Sequence, residues 1–151
     1  MSGRKISAPN IISGTHCKNW WDGSVIYEGS SIEIKLKTNR ESVQFSGDMI
    51  EDSKLMSVSG TFTIKLRKVF SRSKKYVEAY MQGKDPRSEI ISQLKDPDAY
   101  GGGYEKVQIF NCWFDEVPVT GGENGKIVEE EYSGGFTGLK FLSSIEPIVQ
   151  D

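Results

Sequence analysis

Thiol and metal chemistry are nearly missing from this sequence. Its 151 residues include two cysteines, Cys17 and Cys112, and a single histidine, His16. Two isolated cysteines cannot make a disulfide framework, and one histidine leaves no ligand set at zinc spacing. A reduced, cytosolic site of synthesis is the simplest expectation, and no cofactor is implied. No apolar run approaches the ~20 residues that cross a bilayer, so no membrane anchor is expected. Met1-Ser-Gly-Arg-Lys leads to Asn10, Ser13 and Gly14 without the apolar stretch of a signal peptide. Net charge is only −2, which does not announce a nucleic-acid or membrane binder.

Apolar residues are also somewhat scarce. Counting glycine in place of tyrosine, roughly 43% of the chain is apolar against a usual ~45–50%. That shortfall suits a β protein that hides further surface only on assembly. The length fits one domain over residues 1–151, with residues 1–12 as a mobile arm.

What is present reads as strands. Asp22-Gly23 between Trp20-Trp21 and Val25-Ile26-Tyr27 is a hairpin signal. Ile32, Ile34 and Leu36 alternate with Glu33, Lys35 and Lys37, the period of a half-buried strand. A turn at Thr38-Asn39-Arg40 precedes the alternating Val43 and Phe45. Residues 47–57 are polar and read as a projecting hairpin tip or loop. Val58, Phe62, Ile64 and Leu66 then point inward along a second strand, with Gly60 marking a bulge or a close backbone approach.

One helix follows, with Ser71 as N-cap, Gly83 past its last turn and Pro86 forbidding continuation. Val69, Tyr76, Val77, Tyr80 and Met81 form its apolar stripe, read as core contact. Strands follow at Glu89–Leu94 and Lys106–Phe114. A last strand pair, Ile127–Tyr132 and Phe136–Leu142, is separated by Gly134-Gly135. Eight strands and one helix emerge: a mainly β chain, a sandwich or small barrel with one flanking helix.

No catalytic set assembles from these residues. Gly101-Gly102-Gly103 enters a strand, whereas a phosphate loop opens a helix with Lys-Ser/Thr. Adjacent His16 and Cys17 point to opposite faces of an extended segment, with no third group in place. Glu129 and Glu131 share a strand face and repel one another. Trp20, Trp21, Tyr104, Trp113 and Phe114 could form a carbohydrate platform, but core and interface filling is the simpler account.

Charge is segregated along the chain. Residues 58–84 carry seven basic side chains against Glu78, a net of +6, and residues 115–151 carry a net of −6. Arg72, Lys74 and Lys75 fall at the helix start, where the macrodipole favours acids. Unfavourable local choices tend to mark functional surfaces. A contact with Glu129, Glu130 and Glu131 of a neighbouring copy is the matching expectation. Such a head-to-tail contact closes into a ring or continues as a filament.

The order of these pieces resembles the tail tube proteins of contractile phages and phage-tail-like particles, particularly the PBSX-like group. The carrying residues are Ser57-Val-Ser-Gly-Thr-Phe-Thr-Ile-Lys-Leu-Arg-Lys, then Ser73-Lys-Lys-Tyr-Val and Gly83-Lys-Asp-Pro86. They continue through Ile90–Leu94 and Tyr104-Glu-Lys-Val-Gln-Ile-Phe-Asn-Cys-Trp-Phe-Asp115, and end with Glu129-Glu-Glu-Tyr132. The resemblance spans about Gly23 to Phe141.

It implies a structural, non-enzymatic subunit. Six copies would form a ring with a continuous inner β-barrel, and rings would stack into a hollow tube inside a virion, prophage particle or bacteriocin. Implied partners are further copies, the tail sheath, tape measure and baseplate proteins, and DNA passing through the lumen without sequence-specific binding. Glu33, Lys35, Lys37, Thr61 and Thr63 are the expected lumen lining. Asp48, Met49, Ile50, Glu51 and Asp52 are the expected grip on the next ring. A tube of a type VI-like or extracellular contractile injection system is the alternative within the class. A carbohydrate-binding β-sandwich is the alternative outside it.

Overall fold

A computed structural model describes residues 8–12, 17–98 and 103–146. The early expectations at His16 and Gly101-Gly102, and the first seven residues of the arm, lie outside the described residues. Ala8–Asn10 forms a short 3-10 turn.

The first hairpin forms as the sequence predicts. β1 (Cys17–Trp21) pairs with β2 (Ser24–Ile26) across Asp22 and Gly23, both at positive φ (51° and 84°). This backbone twist suits a two-residue hairpin. β3 (Gly29–Val43) and β4 (Asp52–Arg67) then form a hairpin far longer than expected. Thr38-Asn39-Arg40 is not a turn: β3 runs through it, with a register shift between Asn39 and Arg40. The connection outside the strands covers only residues 44–51, because Asp52 already pairs with Val43 and β4 continues from there.

α1 (Lys74–Met81) begins later than expected, with Ser73 rather than Ser71 at its N-cap. Its end is as predicted. Gly83 adopts φ 77°, its N–H bonds Tyr80 O at 3.0 Å, and the Lys84 N–H bonds Ala79 O at 2.9 Å. These two bonds satisfy carbonyls that the last turn would otherwise leave open. The stripe is narrower than expected. Tyr76 is buried and Tyr80 packs against the core, but Val69, which precedes the helix, and Met81 are exposed. Eight residues are too short for all five positions to reach one surface.

β5 (Ser88–Leu94) and β6 (Glu105–Glu116) follow. The last two strands depart most from the sequence reading. Gly134-Gly135 lies inside β7 (Glu129–Phe136), and β8 (Gly138–Ser143) does not pair with it. Both instead take the same edge of β6 in succession. β8 pairs with Lys106–Phe110, and β7 with Trp113–Glu116. The change of partner falls at Asn111, which adopts φ 54° and whose side chain donates to the Thr137 hydroxyl at 3.0 Å.

β6 is therefore shared by two leaves. One leaf is β2-β1-β5-β6-β8 and the other is β3-β4-β7-β6. Gly60 and Gly134 mark close approaches. A Cβ on Gly60 would lie 2.4 Å from the Phe136 ring, and one on Gly134 would lie 1.8 Å from the Trp113 carbonyl oxygen.

Trp21, Phe62, Tyr76, Phe114, Tyr132 and Phe136 fill the space between the leaves with Ile64, Ile90 and Ile109. The Trp21 and Tyr132 rings meet edge to face, centroids 4.9 Å apart, a favoured aromatic geometry. Trp21 Nε1–H donates to the Tyr76 oxygen at 2.8 Å, and the Tyr76 O–H donates to Asp22. Burial first, with the Asp22 charge beside it, pushes the Tyr76 hydroxyl up to about 12.

Candidate functional site

The aromatics read as a possible platform are dispersed. Trp21 and Phe114 are core residues, Trp113 lies against Arg87, and Tyr104 lies against Lys95. The Trp20 ring has the Lys18 and Lys106 ammonium groups at 5.3 and 5.0 Å from its centroid.

The expected lumen residues do share a face. Glu33 lies opposite Thr63 and Lys35 opposite Thr61, with Lys37 opposite Ser59. Their neighbours Phe62, Ile64 and Leu66 fill the core, so period-2 alternation sends this row outward. Glu33 and Lys35 form an exposed ion pair, which by itself contributes little.

Beyond Leu36 and Gly60 the β3–β4 ribbon leaves the core. Apart from the half-buried Val43, every residue from 36 to 59 is exposed. Leu36, Phe45, Leu55, Met56 and Val58 all face solvent, and at the tip Met49 and Ile50 are 97% and 86% exposed. Asp48, Met49, Ile50 and Glu51 lie in the connection, and Asp52 opens β4. The outer edge of β3 has no strand partner among the described residues. Between β3 and β8 the leaves stay open over a cleft of about 290 Å³, lined by Ile32, Ile34, Leu94, Val107, Leu139 and Phe141. An unpaired edge of this length invites pairing with another chain, and a solvent-facing apolar arm marks an interaction surface.

The charged clusters are divided by the fold. Arg72, which precedes the N-cap, pairs with Glu28 at side-chain exposures of 16% and 14%, and its guanidinium lies over Phe70 and Trp21. Burial alone would raise the Glu28 carboxyl, but the Arg72 hydrogen bond and charge, with backbone donors, hold it below the usual carboxylate range. Lys74 and Lys75 remain exposed in the first turn of α1. Nothing in the local sequence marks Glu28 as the partner of Arg72, because the pair is made across the tertiary fold.

Glu129 and Glu131 stand across from Arg67 and Lys65 on β4, whereas Glu130 stands across from Leu66 and is buried. Tyr132 is buried beside it. Burial first, then the Glu130 charge, pushes its hydroxyl up to about 12. The Ser73 hydroxyl is close enough to influence this phenol without closing a well-formed hydrogen bond.

Residues 4–143 match the family model described as phage tail tube protein. Among curated sequences, the chain is 27% identical to the uncharacterized protein YqbM of Bacillus subtilis (strain 168), over 83% of this chain and 86% of that one. It is 26% identical to the phage-like element PBSX protein XkdM of the same organism, with the same coverage. Among solved structures, it is similar to a chain of the sheath-tube complex of an extracellular contractile injection system, PVC, in its extended state. That match has a TM-score of 0.67 at 8% identity and covers 93% of this chain and all of the other. The SPP1 tail tube matches with a TM-score of 0.61 at 16% identity, over 89% of this chain and 81% of that one. At such identities these likenesses speak for the fold, and the family match carries the assignment. The chain belongs to the phage tail tube protein family.

Proposed function

We propose that this chain is the structural, non-catalytic subunit of the inner tube of a contractile phage tail or phage-tail-like particle. Six copies form a ring, and rings stack into a hollow tube that passes DNA or punctures a membrane. The observation that carries the reading is the unpaired β3 edge continuing into an arm with apolar side chains on display. Both are unfavourable in a lone subunit and become useful when a neighbour covers them. Glu33, Lys35, Lys37, Thr61 and Thr63 line the lumen, where hydroxyls and charges of both signs let DNA slide without sequence-specific contact. The tip from Asp48 to Asp52 reaches the next ring, and Lys74 and Lys75 face the acidic run of a neighbouring copy. Tail sheath, tape measure and baseplate proteins are the further partners.

Negative-stain electron microscopy of the purified protein at high concentration tests this reading. Hollow tubes of stacked rings are expected. Removal of Asp48–Glu51 is expected to leave rings but no long tubes. A protein that stays monomeric at every concentration overturns the proposal.

A further inference from the structure

The fold treats one carboxylate of the acidic run unlike its neighbours. Directly opposed residues on paired strands have Cβ atoms about 5 Å apart, so Glu129 and Glu131 have Arg67 and Lys65 close by in their own subunit. Glu130 points to the other face and meets Leu66. It is 8% exposed, and its Oε2 is buried with no hydrogen-bond partner among the described residues. Two positions on, the Tyr132 hydroxyl is likewise buried, with the Ser73 hydroxyl beside it. Arg72, whose charge also reaches Tyr132, is committed to Glu28.

Glu130 lines a pocket of about 280 Å³ together with Glu116, Glu129 and Glu131, walled by Val117 and Pro118. The pocket exists because β6 and β7 separate. Their ladder ends at the Glu116–Ser133 pair, after which the chain turns away and β7 from Glu129 to Tyr132 is paired on its β4 side only. A buried carboxylate oxygen without a donor is destabilising, and such groups persist where something outside the subunit completes them.

The geometry points to this pocket as a receptor for the ammonium or guanidinium group of a basic side chain from a second copy of the chain. The inference rests on the tube reading and deepens it. The rim carboxylates attract the cation, and the Glu130 carboxylate among them accepts its N–H bonds, which are strengthened by charge on both partners. Lys74 and Lys75 carry the matching charge; they are exposed and in no ion pair among the described residues. A metal ion fits less well, since no three Asp, Glu, His or Cys side chains converge on one point among the described residues.

Glu130→Gln keeps the shape and removes the charge. Below the polymerisation threshold its Tm is expected to rise by a few degrees, because a buried carboxylate oxygen without a donor has gone. The critical concentration for tube formation is expected to rise about tenfold or more, the scale of one lost buried charge contact. Glu123→Gln, at an exposed carboxylate outside the pocket that pairs with Lys126 at 3.3 Å in its own subunit, leaves that concentration nearly unchanged. Tubes from Glu130→Gln at the wild-type critical concentration overturn the pocket while leaving the tube reading intact. A fall in Tm assigns Glu130 to internal scaffolding and equally overturns it. Wild-type protein that never forms tubes overturns the tube reading itself, and with it the second copy as occupant.

Discussion

Alanine at Gly134 is the sharpest probe of how β6 and β7 meet. The added methyl would sit 1.8 Å from the Trp113 carbonyl oxygen and 2.9 Å from Phe114 Cα. Both are backbone atoms inside the ladder that pairs Trp113 with Gly135 and Phe114 with Gly134, so no side-chain rotation relieves the clash. The strands must separate. Two or three ladder hydrogen bonds are then lost at about 1 kcal/mol each, and repacking of the aromatic core beneath adds to this. A total of about 3 kcal/mol or more follows. At ~2–4 °C per kcal/mol for a domain of this size, Tm falls by roughly 6–12 °C.

Two other alanines calibrate the experiment. At Gly60 the obstacle is the Phe136 ring at 2.4 Å, a buried side chain with some freedom to swing, so the cost is smaller, about 1–3 kcal/mol. At Gly121 no atom lies within 4 Å, and the change should be nearly neutral. Thermal unfolding of the three variants, followed by circular dichroism below the polymerisation threshold, should rank Gly134 above Gly60 above Gly121. A Gly134→Ala protein melting within ~2 °C of wild type would refute the close strand crossing.

The Glu28–Arg72 pair predicts an acid-side effect. Its folded-state carboxyl is held below the usual value, so its stabilisation is full above the ordinary carboxylate pKa and fades as pH falls through the lowered one. Wild type should therefore lose Tm more steeply than Glu28→Gln below about pH 4.5, and parallel profiles would contradict the pair. Arg72→Met should cost about 2–3 kcal/mol in urea unfolding at pH 7, since it strands Glu28 largely out of water. On the alkaline side, Tyr76 and Tyr132 are raised to about 12, so they stabilise the fold below pH 10 and stop doing so as pH climbs through 12. Ultraviolet titration should show two of the six tyrosines ionising late or only on unfolding. Burial pushes the Cys112 thiol up to about 12, whereas Cys17 is half-buried. A thiol reagent at pH 8 should label one cysteine in the native protein and two in denaturant; prompt labelling of both would place Cys112 outside the core.

The sequence made the fold legible wherever local physics and burial agreed. Asp22-Gly23, the inward row Phe62, Ile64 and Leu66, and Gly83 behind the helix each follow from a dihedral or a period that tertiary structure left alone. The arm was harder. Thr38-Asn39-Arg40 looks like a turn because alternation has meaning only where one face is buried, and both faces of the ribbon are open there. Gly134-Gly135 obeys a different logic from the turn it mimics: these glycines make room for another strand's backbone. Of the candidate site, the row from Glu33 to Thr63 could be placed by period alone. The separate fates of Glu129, Glu130 and Glu131 could not, since the register against Arg67, Leu66 and Lys65 is fixed by the whole sheet.

The sharing of β6 by both leaves also has a mechanical side. In a sandwich of two separate sheets, shear between layers is resisted only by side chains sliding over one another. Here a force applied to β3 and β4 travels through β7 into β6, and from β6 into β5 and β8, along hydrogen-bonded ladders and one covalent backbone. The two leaves bear load as one piece, so the subunit should yield by rupture of whole ladders rather than by slippage of one sheet across the other.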